Sequence, residues 1–189
     1  MKRAFLLILS ALSLSASAEE NVFTLGVDTR CIYGLAPCWS KVREPVSLVD
    51  GVSWVSDTAV STEWTGQFKT TGGKLPDLAG MKELMHRFNG DQFTVRGIEG
   101  TLLGKVEKRD GGLVFKLDAG AELRLEALKR KVQWNVRAKK DVEISAAEQS
   151  AFVKLKVEST SASRAAKLTG PLRSENGGWV MEVREFFWR

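Results

Sequence analysis

Two stretches of this chain follow one plan. Residues 102–117 alternate apolar and polar, break at Asp110-Gly111-Gly112, and alternate again. Residues 168–183 do the same around Asn176-Gly177-Gly178. Each tripeptide supplies the positive φ that tight hairpins need, and strict alternation is the period of a half-buried strand. Two copies are too few for a solenoid. The plan therefore predicts two β-hairpins at equivalent places in one small sheet or barrel.

The segment between the hairpins is short on options. Residues 122–127 alternate as a strand. A basic stretch follows, with Arg124, Lys129, Arg130, Lys131, Arg137, Lys139 and Lys140 against Glu126 alone. Ser145-Ala146-Ala147-Glu148 is a capping box, which opens a helix running to Val157, and 159–163 is a small-residue loop. The order strand, strand, strand, helix, strand, strand is that of an OB-like five-stranded barrel over 98–189.

The first part of the chain has another texture. Residues 22–27 are a short apolar strand. Cys38, Val42, Val46 and Val49 recur at helical spacing, with Pro37 in the first turn and Pro45 placed to kink or end the helix. Residues 52–60 and 61–70 read as two strands carrying Trp54 and Trp64, and Gly72-Gly73 breaks the chain. Pro76-Asp77 opens a second helix whose Leu78, Met81, Leu84, Met85 and Phe88 form one buried face. The lone histidine, His86, lies off that face. The expected fold class is α+β: a ferredoxin-like βαββαβ sandwich over 19–97, followed by the small OB-like β barrel.

The N-terminus carries a different signal. Met1-Lys2-Arg3, an apolar run over 4–14 and Ser15-Ala16-Ser17-Ala18 have the layout of a secretory signal peptide, 1–18. The apolar run is too short to span about 30 Å of hydrocarbon, and no later segment is apolar enough to do so. The expected location is periplasmic or secreted, with no membrane span in the mature chain.

The chain has two cysteines and one histidine. A four-ligand zinc site would have to be built largely from carboxylates. G-x-S-x-G, P-loop, H-E-x-x-H and Gly-rich dinucleotide patterns do not occur, so the reading is non-enzymatic. Trp39 follows Cys38 and either packs in the core or shields the thiol region. The basic stretch reads as a solvated edge, or as a surface for an acidic polymer. With a formal net charge of only +5 on an exported chain, nucleic acid is not the expected partner.

Cys38, Val42, Gly51-Val52 and Val55 resemble the run after the second cysteine of the C-x-x-C loop in the heavy-metal-associated domain of copper chaperones and mercury-binding periplasmic proteins. The resemblance covers residues 22–97. It implies a two-thiolate site for copper(I) or another soft metal at Cys31 and Cys38. The family's first cysteine falls at Leu35, and Cys31 lies four residues upstream. Three readings of the pair stand side by side: a structural disulfide, expected after export; a soft-metal site; and a redox-active dithiol. The corresponding functions are an exported soft-metal-binding protein, an envelope structural or interaction module that docks a protein or acidic polymer, and a thiol redox protein.

Overall fold

A computed structural model describes residues 20–109, 112–160 and 162–189. The expected signal peptide, Asp110 and Gly111 of the first hairpin turn, and Ser161 lie outside the described residues.

The fold is mixed α+β. In chain order the first elements are β1 (Val22–Thr29), α1 (Ser40–Ser47), β2 (Val52–Trp54), β3 (Thr65–Thr70), α2 (Leu78–Asn89) and β4 (Phe93–Arg109). The strands lie in the order β4-β1-β3-β2, with every pair antiparallel. Phe23, Leu25 and Val27 alternate along β1 and are buried with Val42 and Val46 of α1 and Met81 and Met85 of α2. The period-2 and period-3.6 patterns thus meet in one layer of core.

Several local expectations change. Pro45 does not end α1, which continues to Ser47. A proline there lacks the N–H that would reach the Lys41 carbonyl. The Asn89 side-chain amide of α2 donates to that carbonyl instead, at 2.8 Å. Pro37 sits before the helix, in a tight turn closed by the Cys38 N–H donating to the Leu35 carbonyl. The strand expected over 52–60 stops at Trp54. Beyond it the Ser56 hydroxyl accepts from the Thr58 N–H at 3.2 Å, a local bond that competes with a ladder. The next strand starts at Thr65 because Trp64 has φ +50°, outside the extended region. In α2, Asp77 caps the Gly80 N–H and Met81 and Met85 are buried. Phe88 is half exposed, in the last turn before Gly90 leaves the helix with φ +54°.

The remaining elements are β5 (Gly112–Leu117), β6 (Glu122–Ala127), β7 (Trp134–Asn135), β8 (Lys140–Asp141), α3 (Ala146–Glu158), β9 (Arg164–Glu175), β10 (Gly178–Val183) and β11 (Glu185–Trp188). Strands β4, β5, β6, β10 and β9 form a closed five-stranded barrel, because β9 pairs back with β4. The β6–β10 pair is parallel and the others are antiparallel. The two echoed stretches are the β4–β5 and β9–β10 hairpins. Asn176 and Gly177 adopt φ +51° and +76° in the second turn. The capping box of α3 is formed from both sides, Ser145 Oγ accepting from the Glu148 N–H and Glu148 accepting from the Ser145 N–H.

Strand β4 belongs to both halves. Its residues 93–101 pair with β1, and 104–109 pair with β5. It passes through residue 97 without a break in the strand. The segment after β6 then folds back over the first half. Its Val132 sits above Gly26 and Gly97, where an added Cβ would meet the Val132 carbonyl oxygen at 2.4 Å and its Cγ1 at 3.2 Å respectively.

Candidate functional site

Cys31 and Cys38 form a disulfide. The loop between them is built of two successive tight turns: the Gly34 N–H donates to the Cys31 carbonyl at 3.0 Å, and the Cys38 N–H to the Leu35 carbonyl at 3.1 Å. Gly34, with φ +78°, allows the reversal between them. Leu35 is fully buried and anchors the loop in the core. Ile32 and Tyr33 occupy the middle of the first turn and are 87% and 75% exposed. Burying such side chains is worth about 1.5–3 kcal/mol each, so the loop holds apolar surface in water.

Trp39 is packed inside. It lies edge-on to Trp54, centroids 5.1 Å apart, and its ring tip occupies the space left by Gly66, where a Cβ would approach it to 2.3 Å. This is the core-packing role. His86 is exposed and its Nδ1 is 3.6 Å from Asp91. Among the described residues no group of three or more His, Cys, Asp or Glu side chains is placed to hold a metal ion. No helix among them is long and apolar enough to cross a membrane.

A cleft of about 610 Å³ opens beside the base of the cysteine loop. It is built by β1, β4 and the β7–β8 hairpin. In β4, Arg96 is the extra residue of a β-bulge, since Gly26 faces Gly97 and Val27 faces Val95. A bulge re-aims the side chain it carries. Here Arg96 is nearly buried, donates to Asp28 at 3.0 Å and to Asp141, and reaches the Val132 carbonyl at 3.3 Å. Its guanidinium lies 4.7 Å from the Trp134 ring centroid, a cation–π contact. Trp134 in turn stacks with Trp64, centroids 6.3 Å apart and planes 22° from parallel. Trp64 is held by Val27 N–H donating to its carbonyl at 3.0 Å, and the Trp134 N–H donates to the Glu63 carbonyl at 3.0 Å. Sequence reasoning missed Arg96, since no local pattern marks a bulge whose extra residue is fixed by the partner strand. Trp64 is expected only as a bulky strand residue, and no local pattern marks Trp134 as its neighbour, because the two are joined by the fold and not by spacing.

The basic stretch is mostly neutralised. Arg124 pairs with Glu126 and Glu175, Lys129 with Glu126, Lys131 with Glu148, and Lys140 with Glu143. Arg130, Arg137 and Lys139 have no ion pair among the described residues. Hydrogen bonds from Lys129 and Arg173 hold the Glu126 carboxyl down to about 2.

A second charged group is buried at the foot of the barrel. Glu99 of β4 lies 3.0 Å from Arg184 and accepts from Gln133 at 3.3 Å. Burial pushes its carboxyl above the ordinary range, and Arg184, Gln133 and Lys131 draw it part of the way back. These groups are tied to one another and tie the crossing segment to the barrel.

Compared with protein-family models, curated proteins and solved structures, the chain matches none.

Proposed function

We propose that this is an exported, non-catalytic binding protein, an interaction module of the cell envelope in which the Cys31–Cys38 loop presents Ile32 and Tyr33 to a protein partner. The observation that carries the reading is the pairing of covalent closure with exposure. A disulfide and a buried Leu35 hold the loop in shape, and its two large apolar side chains point away from the core. Pre-ordering of this kind lowers the entropy lost on binding, and tyrosine with a β-branched neighbour makes a good anchor for a partner's pocket. In this reading the first half is a ferredoxin-like sandwich, supported by the strand order β4-β1-β3-β2 with α1 and α2 as the two crossovers. The second half is OB-like, supported by the closed barrel with its parallel β6–β10 pair and α3 between β6 and β9.

A photo-crosslinking residue at position 33, with one at exposed Lys116 as the control, tests this in cells exporting the full chain. Position 33 gives a discrete crosslinked product, and Lys116 does not. Equal, diffuse labelling from the two positions sinks the reading.

A second reading rests on the resemblance around Cys38 and on the same strand order. The two sulfurs are a donor set suited to copper(I) once the disulfide is reduced. Titration of the reduced protein with copper(I) decides it. Binding no tighter than that of a Cys31→Ser variant removes the metal role.

A further inference from the structure

We infer that the cleft between β1, β4 and the β7–β8 hairpin is a binding site for an acidic saccharide, which stacks on Trp64 of the tryptophan pair and places its carboxylate between Arg30 and Lys139. This goes beyond the loop-mediated docking proposed above and does not depend on it.

Three features carry the inference. The first is the aromatic floor. Trp64 and Trp134 are both only partly buried and both line the cleft. Trp134 meets Trp64 and the Arg96 guanidinium with its ring faces, so the C–H face of a pyranose packs on Trp64, and Trp134 and Arg96 behind it hold the stack in place. Because Arg96 is already engaged by Asp28, Asp141 and the Val132 carbonyl, it positions the floor and is not free for a ligand.

The second is the charge at the rim. Arg30 and Lys139 line the cleft, are exposed, and have no ion pair among the described residues. They supply two unspent positive charges for an anion. The walls also hold two carboxylates, Asp28, which is paired with Arg96, and Asp91, which has no lysine or arginine partner among the described residues, together with the Thr29 and Thr94 side chains. A carboxylate accepts from sugar hydroxyls, and it repels a densely charged polyphosphate. Two cations beside an acid suit a ligand with hydroxyls and one carboxylate per ring better than a nucleic-acid backbone, which is bound by clustered cations.

The third is backbone conformation. Of the non-glycine residues with positive φ, Trp64 at +50° and Lys139 at +52° both line this cleft. A bulky side chain in that region is strained, and such strain collects at ligand clamps. The size, about 610 Å³, falls in the range of small-molecule sites.

Isothermal titration calorimetry of the full mature chain tests the assignment with tetragalacturonate as the probe. Its methyl ester, a single-stranded oligothymidylate and inorganic polyphosphate serve as the comparison ligands. Tetragalacturonate binds saturably and the ester about tenfold or more weaker. Trp64→Ala abolishes binding. Because Trp64 also packs against the core, Arg30→Glu with Lys139→Glu is the second variant. Both side chains are exposed, so the melting temperature is kept while affinity for tetragalacturonate falls about tenfold or more. Absence of saturable binding by tetragalacturonate overturns the inference, and so does an unchanged affinity in the double variant. Tighter binding of oligothymidylate or polyphosphate, lost in the same variant, overturns the saccharide class.

Discussion

Single residues decide how closely the two halves of this molecule approach. Gly26 is the clearest case. Its φ is unremarkable, so its value is space rather than conformational freedom. A methyl group there would meet the Val132 carbonyl oxygen at 2.4 Å, and the neighbour is backbone, which yields little. Gly26→Ala is expected to destabilise by about 1–3 kcal/mol, the usual cost of overpacking, measured by urea unfolding. Gly72→Ala is the comparison of opposite kind, with open space around its Cβ but φ +66°, so its cost comes from the backbone alone. If Gly26→Ala is neutral, the crossing segment is not held against β1 as described. At this scale the sequence is hardest to read. Nothing near Gly26 marks it as a contact point, because its neighbour, Val132, lies more than a hundred positions away.

Elements were more legible, and their exceptions have nameable causes. The helix α2 showed its buried face in Met81 and Met85, and α3 showed its start in Ser145 and Glu148, since periodicity and caps are local properties. Proline 45 was legible as a helix breaker and yet lies inside α1. The compensation comes from another element, through Asn89 donating to the carbonyl of Lys41. That pairing predicts a coupling. Asn89→Ala should cost about 1 kcal/mol in the native sequence and less in a Pro45→Ala background, where the restored N–H of residue 45 serves the same carbonyl. A double-mutant cycle in urea gives the coupling energy, and additive costs would dismiss the link. The cysteine loop makes a second prediction at this scale. Closing so short a loop is worth about 2–3 kcal/mol by chain entropy, so Cys31→Ser with Cys38→Ser should lower stability by that amount. The same variants should remove the protection of the Gly34 and Cys38 amides, which close the two turns of the loop, in hydrogen exchange. Loss of stability without a change in exchange at the loop would detach the disulfide from the loop's order. Spacing showed the two cysteines could meet. It left open what they do there, because a disulfide, a metal site and a redox pair all need the same proximity.

The whole molecule adds two consequences, one of charge and one of connectivity. Charge first: Glu126 and Glu99 act in opposite directions with pH. Glu126 is held at about 2 by Lys129 and Arg173, so its contribution is complete above the unfolded carboxylate value and fades as pH falls through about 2. Glu99 is raised from its ordinary value of 4.5 by burial. The native state therefore holds its proton where the unfolded chain has lost it, and stability falls as pH rises through that window. Glu99→Gln should remove this dependence. Its stability relative to the parent should rise with pH above 4.5, in urea titrations at a series of pH values. A constant difference between the two proteins across that range would show that Glu99 does not titrate in the folded state.

Connectivity then follows from β4. The change of texture along the chain was legible: an αβ pattern gives way to hairpins near residue 97. The sharing of one strand was not, because alternation reads the same whether a strand has one set of neighbours or two. Strand β4 pairs with β1 over 93–101, with β9 over 98–106 and with β5 over 104–109. The buried side chains of both halves, from Phe23 and Met81 to Phe115 and Leu155, also form one contiguous core cluster. Separating 19–97 from 98–189 would cut the strand inside its ladder to β1 and expose unpaired backbone groups on both pieces. Unfolding should accordingly be a single cooperative transition, with equal calorimetric and van't Hoff enthalpies. Neither fragment expressed alone should show dispersed amide resonances, and mixing them should restore the native spectrum. Two separated calorimetric transitions, or a folded 98–189 fragment, would mean that the barrel stands without β1 and that the shared strand joins two independent folding units.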